Sequence, residues 1–497
     1  MRDLVQLSTG NLALLDDAVR KPSYDRDRVI PAVCHIGVGG FHRAHQAVYL
    51  DDLLHLPGEE NWGYCGIGLL EQDARMRDVM FRQECLYTVI ECNDDSLKAQ
   101  IVGSVVDYVF APGSRSTVLD RLSSPECRIV SLTVTEGGYY ANEATGEFNA
   151  DHPDIVADLS HPNEPTCSFG VIVEALDRRR RSGLAPFTVM SCDNIQHNGD
   201  LAQRMMLAYA GIRDQGLESW IRDEVTFPNS MVDRIVPATT DAHCIAFHEK
   251  FGIDDAWPVV TEPFRQWVVE DNFCSGRPNW ERVGVQITTD VSPYEKMKMR
   301  LLNGSHQALC YIGMLLGYKT VCEAIADPQI RQLVRTLMDN EVTPLLQEPA
   351  GMDLGCYKDS LLERFGNTAI ADQLVRIGTD ASARIPKFIL PSISEQLDRQ
   401  GPIACLSFVV ASWFSFIVAS SEDSKLTVID PQRDRLIRVA GKAGSDPMPF
   451  LVLDDLFESR LANSNRFRLH LSAMFRNLVE TGPRAALSHV LEHAVRY

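Results

Sequence analysis

Val29-Ile30-Pro31-Ala32-Val33-Cys34-His35-Ile36-Gly37-Val38-Gly39-Gly40-Phe41-His42-Arg43-Ala44-His45 is an apolar run that ends in a glycine cluster and continues into a helical pattern through Leu54. Strand, glycine turn, helix is the order in which a parallel sheet presents a phosphate-binding turn. Gly37 permits a tight turn, Gly39 and Gly40 let backbone amides approach a pyrophosphate, and Phe41 and Arg43 follow as candidate contacts at the helix start. The GxGxxG spacing would put a third glycine at position 42. The chain has His42 there, so the turn alone fits a generic βα connection equally well.

Working outward, the apolar run Tyr64 to Leu70 ends in Glu71-Gln72-Asp73. An acid at the end of the second strand accepts hydrogen bonds from a ribose and repels a 2′-phosphate, so Asp73, or Glu71, points to NAD rather than NADP. The alternative is a plain loop carboxylate. Further runs at Tyr87–Ile90, Arg128–Val134 and Phe187–Ser191, with a helical pattern at Phe169–Arg181, predict a largely parallel sheet covered by helices. Ligands of such sheets sit beyond the strand ends. The residues there are Thr135-Glu136-Gly137-Gly138-Tyr139 and Cys192-Asp193-Asn194, and Asn194 is placed to hydrogen-bond a cofactor or an oxyanion unless it merely caps the next helix.

From about Tyr294 the pattern becomes helical: 293–316, 328–346, 357–378, 389–400, 402–421 and 466–495. This places a domain boundary near 288, giving a Rossmann-type dinucleotide-binding domain over 1–288 and a mainly helical substrate domain over 289–497, with the active site expected in the cleft between them. The second domain opens on Ser292-Pro293-Tyr294-Glu295-Lys296-Met297-Lys298-Met299-Arg300-Leu301-Leu302-Asn303-Gly304-Ser305-His306. Ser292 with Glu295 reads as a capping box, with Pro293 at the first helical position. At about 100° per residue, Lys298, Asn303 and His306 fall within roughly 140° of one another. Gly304, costly inside a helix, suggests a close approach of ligand or backbone. Taken singly, a lysine near a helix start is usually a solvated charge and a helical histidine a structural residue.

Length and composition bound the rest. A chain of 497 residues exceeds one ordinary core. The balance of 48 basic against 67 acidic residues, −19 overall, disfavours nucleic acid and anionic membranes. Arg178-Arg179-Arg180-Arg181 is the one basic run, read as serving the end of its helix. Thirteen cysteines without a CxxC pair suggest a reducing, cytoplasmic setting, and their spacing with histidine offers no zinc site. Cys405 to Ser421 reads as a buried helix, too interrupted for a membrane span.

If a nicotinamide is bound and no metal takes part, alcohol oxidation needs a side chain to remove the hydroxyl proton. Lys298 is the candidate, since a buried lysine can act as a base. Asn194 and Asn303 can donate to the developing oxygen charge, and His306 can orient the hydroxyl or Lys298. Asp372, Gln373 and Arg376 fall on one helical face, with Arg384-Ile385-Pro386-Lys387 at a break beyond it. The basic residues there could bind substrate hydroxyls, and Asp372–Arg376 could equally be a solvated i,i+4 pair.

Gly37-Val38-Gly39-Gly40-Phe41-His42-Arg43-Ala44-His45, Thr135-Glu136-Gly137-Gly138-Tyr139, Ser191-Cys192-Asp193-Asn194, Pro228-Asn229-Ser230-Met231-Val232-Asp233-Arg234 and Lys298-x4-Asn303-Gly304-Ser305-His306 together resemble the polyol-specific long-chain dehydrogenases. The resemblance runs from about residue 28 to near the C-terminus. It implies a zinc-independent, NAD-dependent interconversion of a sugar alcohol and a ketose by a monomer, with the D-mannitol/D-fructose pair first and arabinitol or sorbitol next. Lys298 would be the base and Asn194 with Asn303 the oxyanion pair. Asp233, His306 and Arg376 would bind or support substrate. The family usually has Lys where this chain has Arg384, which bears on substrate choice, and Leu70 and Gln72 lie where the ribose loop varies.

A hexuronate reductase of the same fold, acting on fructuronate or tagaturonate through Arg376 and Arg384, is the alternative, and a catalytically silent nucleotide-binding protein a third. Tyr294-x3-Lys298 also matches the Tyr-x3-Lys of short-chain dehydrogenases, but that pair sits within a nucleotide domain about half this length.

Overall fold

The computed structural model describes residues 4–94, 96–142, 146–421 and 426–494, and the chain divides into two units, Met1–Ser292 and Pro293–Tyr497. The first is built on a five-stranded sheet in the spatial order Val105–Phe110, Tyr64–Gly68, Val33–Ile36, Ile129–Leu132, Thr188–Ser191, with every neighbouring pair parallel. Strand order reverses direction at Val33–Ile36, which makes its C-terminal end the switch point where ligands of open α/β sheets bind.

Alternate residues of these strands feed two cores. Cys34, Ile36, Val130 and Leu132 pack on one face beneath the Ser168–Arg181 and Asn198–Arg213 helices, while Val33, Tyr64, Ile129 and Met190 pack on the other. Burial on both faces explains why the strands read as continuous apolar runs.

The sequence reading missed Val105–Phe110, the edge strand of this sheet, and misplaced Tyr87–Ile90. That segment belongs to Tyr87–Asn93, which pairs antiparallel with Ser96–Val102 and parallel with Val259–Thr261 in a separate sheet. The hairpin is decided by local chemistry: Asn93 Oδ1 accepts from both Ser96 N and Ser96 Oγ, a side-chain turn that folds the chain back at once. A third sheet joins Ser230–Asp233, Gln266–Glu270 and Gln286–Thr288.

The run of four arginines serves its helix along the side more than at the end. Arg178 pairs with Glu174, Arg180 and Arg181 with Asp177, and Arg179 is buried, donating to Ala185 O and Ser124 O. Three of the run's four guanidinium groups are thus engaged by carboxylates of the same helix.

The second unit is helical. Ala404–Ser420 is almost wholly buried against Gly304–Leu315 and Asn465–Thr481, and no helix among the described residues is long and apolar enough to cross a membrane. Several long patterns are broken. The one expected over 466–495 stops at Thr481, where Gly482 takes φ +86 and Pro483 starts the next helix. That expected over 357–378 splits into Leu354–Gly366 and Leu374–Ile377. Ala381–Phe388 forms a helix with Pro386 inside it, so Arg384 and Lys387 stand on a helix and not at a break.

Candidate active site

In the N-terminal unit the glycine turn is fixed by sterics. Gly37 has φ +95, and a Cβ built there would lie 2.1 Å from Thr133 O, so no other residue fits without moving the backbone. Thr133 Oγ1 donates to Gly37 O at 2.7 Å. At Gly39 and Gly40 an added Cβ would meet nothing closer than 3.9 and 3.7 Å, so the outer side of the turn stays open to a phosphate. The helix that follows is short, Gly40–Ala44, and bends at His45 into Gln46–Leu54.

His42, at the position of the absent third glycine, is fully buried and stacks on His35 with ring centroids 3.4 Å apart. Close helix-to-strand packing is achieved here by two imidazoles lying flat on each other. Because Thr133 Oγ1 spends its proton on Gly37 O, His35 Nε2 is the donor to Thr133 Oγ1 at 2.9 Å, and His35 Nδ1 accepts from Ser131 Oγ at 2.8 Å. Burial pushes His35 and His45 down to about 3 and His42 well below its ordinary value. All three are therefore neutral rings at physiological pH.

The other residues read as cofactor contacts are placed as follows. Phe41 is half-buried and stacks on His45. Arg43 points inward, 2 % exposed, with Nη1 on Trp257 O and its guanidinium beside the Tyr87 and Trp257 rings. Asp73 stands just past the Tyr64–Gly68 strand, and its Oδ2 accepts from Leu70 N at 2.9 Å, closing the loop.

Beyond the next strand ends, Asn194 is exposed at the tip of a three-residue turn in which Ile195 N donates to Asp193 O at 2.8 Å. It does not cap the following helix, whose N-cap is His197. Asp233 is buried at the end of Ser230–Asp233. The adjacent Arg234 is spent on Ala44 O, Glu262 O and Glu91.

In the C-terminal unit the helix begins at Ser292, and the acceptor at its start is Asp290, whose Oδ1 takes the Ser292 N–H at 2.9 Å in place of the expected Ser292–Glu295 box. The helix then changes register. Lys298–Asn303 is π-helical, with the Gly304 N–H reaching Met299 O, five residues back. In this winding residues five apart stand one turn above each other, so Lys298 and Asn303 share a face more closely than an α-helix allows. Lys298 is buried at 8 %, and Asn303 and His306 are half-buried, with His306 against Phe365.

The other cations of this stretch are engaged elsewhere, Lys296 and Arg300 both pairing with Glu395 at 3.1 and 2.7 Å. Tyr294 donates its hydroxyl to Ala350 O, which removes it as a competing base. At Gly304 an added Cβ would make only ordinary contacts, the nearest 3.6 Å from Phe388 O, so packing within the protein does not itself require glycine there.

Arg376 pairs with Asp372, its Nε 2.7 Å from Asp372 Oδ1, but Asp372 and Gln373 precede the helix, so the three do not share a helical face. Arg384 Nη1 donates to Ile377 O at 2.9 Å, closing the end of the helix that carries Arg376. Lys387 is half-buried with its amine 5.7 Å from the Phe388 ring centroid. Among the described residues no group of three or more His, Cys, Asp or Glu is placed to hold a metal.

Sequence reasoning overlooked His35 and Asn198, and saw Tyr139 and Asp193 only as parts of motifs. Each is a buried polar residue beside a strand end, and that combination is the one signal that could have found them.

Residues 31–282 match the model of the mannitol dehydrogenase Rossmann domain and 290–478 that of the mannitol dehydrogenase C-terminal domain. A mannitol 2-dehydrogenase of Aspergillus fumigatus is 45 % identical over 97 % of this chain and 96 % of its own. Among solved structures, Pseudomonas fluorescens mannitol 2-dehydrogenase in ternary complex with NAD and D-mannitol superposes with a TM-score of 0.88 at 42 % identity, over 98 % of this chain and 99 % of that one. A substrate-free D-sorbitol dehydrogenase gives the same TM-score at 35 % identity, over 97 % and 100 %.

Proposed function

The chain belongs to the mannitol dehydrogenase family, and from that premise we propose that it is an NAD-dependent oxidoreductase interconverting D-mannitol and D-fructose. Residues 1–288 are assigned as the dinucleotide-binding domain and 289–497 as the substrate domain. The residues present fit the cofactor: Gly37 is obligatory in the turn, and the outer side of Gly39 and Gly40 is open. These glycines would hold the pyrophosphate, with Asp73 toward the adenosine ribose and Phe41, Arg43 and Asn194 completing the contacts. When bound, NAD supplies the acceptor for hydride from the substrate carbon.

The chain's own work is to move a proton and stabilise charge. The Lys298 amine, uncharged, takes the proton of the reacting hydroxyl, and Asn194 and Asn303 donate to the oxygen as negative charge develops on it. His306 orients the hydroxyl. Asp233, Arg376, Arg384 and Lys387 bind the remaining hydroxyls. The observation that carries this reading is the π-helical turn that sets the buried Lys298 one turn from Asn303. Irregular turns of this kind cluster at functional sites.

The reaction is assigned without zinc, the enzyme is assigned as a monomer, and its compartment as the cytoplasm, a setting that suits thirteen cysteines without a disulfide. Turnover of D-mannitol, arabinitol, sorbitol and fructuronate with NAD and with NADP, before and after EDTA, tests the reading. Preference for D-mannitol with NAD, unaffected by chelator, is expected. Activity with the acid alone would replace it with the hexuronate reductase.

A further inference from the structure

Two strand ends meet through one carboxylate. Asp193, 7 % exposed, accepts Val134 N on Oδ2 at 3.1 Å and Thr135 N on Oδ1 at 2.8 Å, and Tyr139 donates its hydroxyl to Oδ2 at 2.8 Å. The segment held in this way is itself strained: Thr135 is β-branched yet sits at φ +62, a conformation that persists only where its surroundings enforce it. Its upstream neighbour Thr133 is clamped against Gly37 of the cofactor turn. On the other side, the Asp193 carbonyl accepts from Ile195 N at 2.8 Å and from the buried Asn198 Nδ2 at 3.0 Å, which fixes the turn whose tip is Asn194.

We propose that Asp193 is a positioning residue that sets the distance between the glycine turn and the Asn194 carboxamide by locking the Thr133–Tyr139 segment to both. This rests on the reading of Asn194 as an oxyanion donor. The chemistry requires an acid and not its amide. All three side-chain partners are donors, so a carboxylate satisfies them together, whereas an asparagine would turn an N–H toward a backbone N–H. Asn194 has to meet a reacting oxygen, and misplacement of such a group by about 1 Å costs roughly 100-fold in rate.

The test compares full-length wild type, Asp193→Asn and Tyr139→Phe. The measurements are kcat and KM for D-mannitol with NAD, NADH affinity by fluorescence, the melting temperature, and amide exchange of the peptide containing Val134 and Thr135. Asp193→Asn is expected to lower kcat about 100-fold, leave NADH affinity within about 3-fold, and release protection at Val134 and Thr135. Tyr139→Phe, which removes the hydroxyl shared by Asp193 and Ser191 and keeps the acid, should lower kcat about 5-fold with a melting temperature only a few degrees lower, and carries the test if Asp193→Asn does not fold.

A kcat within about 2-fold of wild type in a folded Asp193→Asn, or a loss that tracks NADH affinity and melting temperature together, overturns the proposal. In a Tyr139→Phe variant, unchanged kcat does the same. If the wild type turns over no polyol, the functional reading fails by itself, and the exchange of Val134 and Thr135 still decides whether the carboxylate locks the turn.

Discussion

The N-terminal unit holds its functional groups at strand ends, each pinned by several backbone contacts, while the C-terminal unit carries Lys298, Asn303 and His306 on a single helix that changes winding partway. The difference teaches a division of labour. A cofactor turn that must match a rigid pyrophosphate is built where the backbone has no freedom, as Gly37 against Thr133 illustrates. The proposed proton transfer, and the part of the charge stabilisation that Asn303 supplies, are instead built from side chains placed by one local irregularity. If the division is real, changes at the glycine turn alter cofactor affinity and changes on the Lys298–His306 helix alter turnover, with Asn194 the strand-end residue that belongs with the second set.

The largest effect expected is from Lys298→Ala. Losing a general base costs about 10² to 10⁴-fold in kcat, and NADH affinity, governed by the other unit, should remain within about 2-fold. Stopped-flow hydride transfer with equilibrium NADH titration checks both. An equal loss in the two would break the division.

Next come Asn303→Ala and Asn194→Ala, each expected to lower kcat about 100-fold as one of two donors to the developing charge. On the proposed mechanism both serve one oxygen, and the double variant should then lose less than the product of the single losses. Strict additivity in that cycle would mean that the two amides serve different atoms.

Gly37→Ala sharpens the comparison from the other side. A methyl group 2.1 Å from Thr133 O cannot be accommodated in place, so NADH affinity should fall about tenfold or more, along with a lower melting temperature. Isothermal titration with NADH reads the first and calorimetry the second.

How much of this was legible follows from the type of constraint. The glycine turn, the parallel sheet and the switch to helices could be read because each leaves a pattern in residue type: Gly37 where only glycine fits, apolar strands such as Tyr64–Gly68 buried on both faces, and the helical spacing of Ile330, Leu333 and Val334 in Pro328–Thr336. The π-turn at Lys298–Asn303 could not, because a one-residue change in hydrogen-bond register leaves composition untouched and is decided by packing. Tyr87–Asn93 was assigned to the wrong sheet for a related reason: strand propensity does not name a partner, and the Asn93 turn that does is a single side chain. The link proposed between Asp193 and the placement of Asn194 was hidden because the Asp193 contacts reach 58 and 59 residues back along the chain.

The smallest effect concerns buried titratable groups, where Glu341 and the pair His35 and His45 carry opposite signs. Glu341, on a second π-helical turn at Leu337–Val342, accepts Cys405 N at 2.7 Å and Leu406 N at 2.8 Å at the start of the Ala404–Ser420 helix. Burial pushes its carboxyl up to about 7 even though these hydrogen bonds favour the anion. Between its ordinary 4.5 and about 7 the folded chain holds a proton that the unfolded chain has released, so this contribution to stability is complete below 4.5 and is lost as pH rises through 7. His35 and His45, lowered from 6.5 to about 3, act the other way: their contribution is present above 6.5 and fades on acidification. Glu341→Gln removes the titrating acid while leaving the histidines intact. Its melting temperature should be level with or slightly below wild type at pH 5, where a Gln amide opposes one of the two helix N–H groups, and should gain on wild type by on the order of 5 °C by pH 8. Melting curves that run parallel across that range would show that Glu341 is ionised throughout, and its helix-capping carboxylate would then carry no pH dependence there.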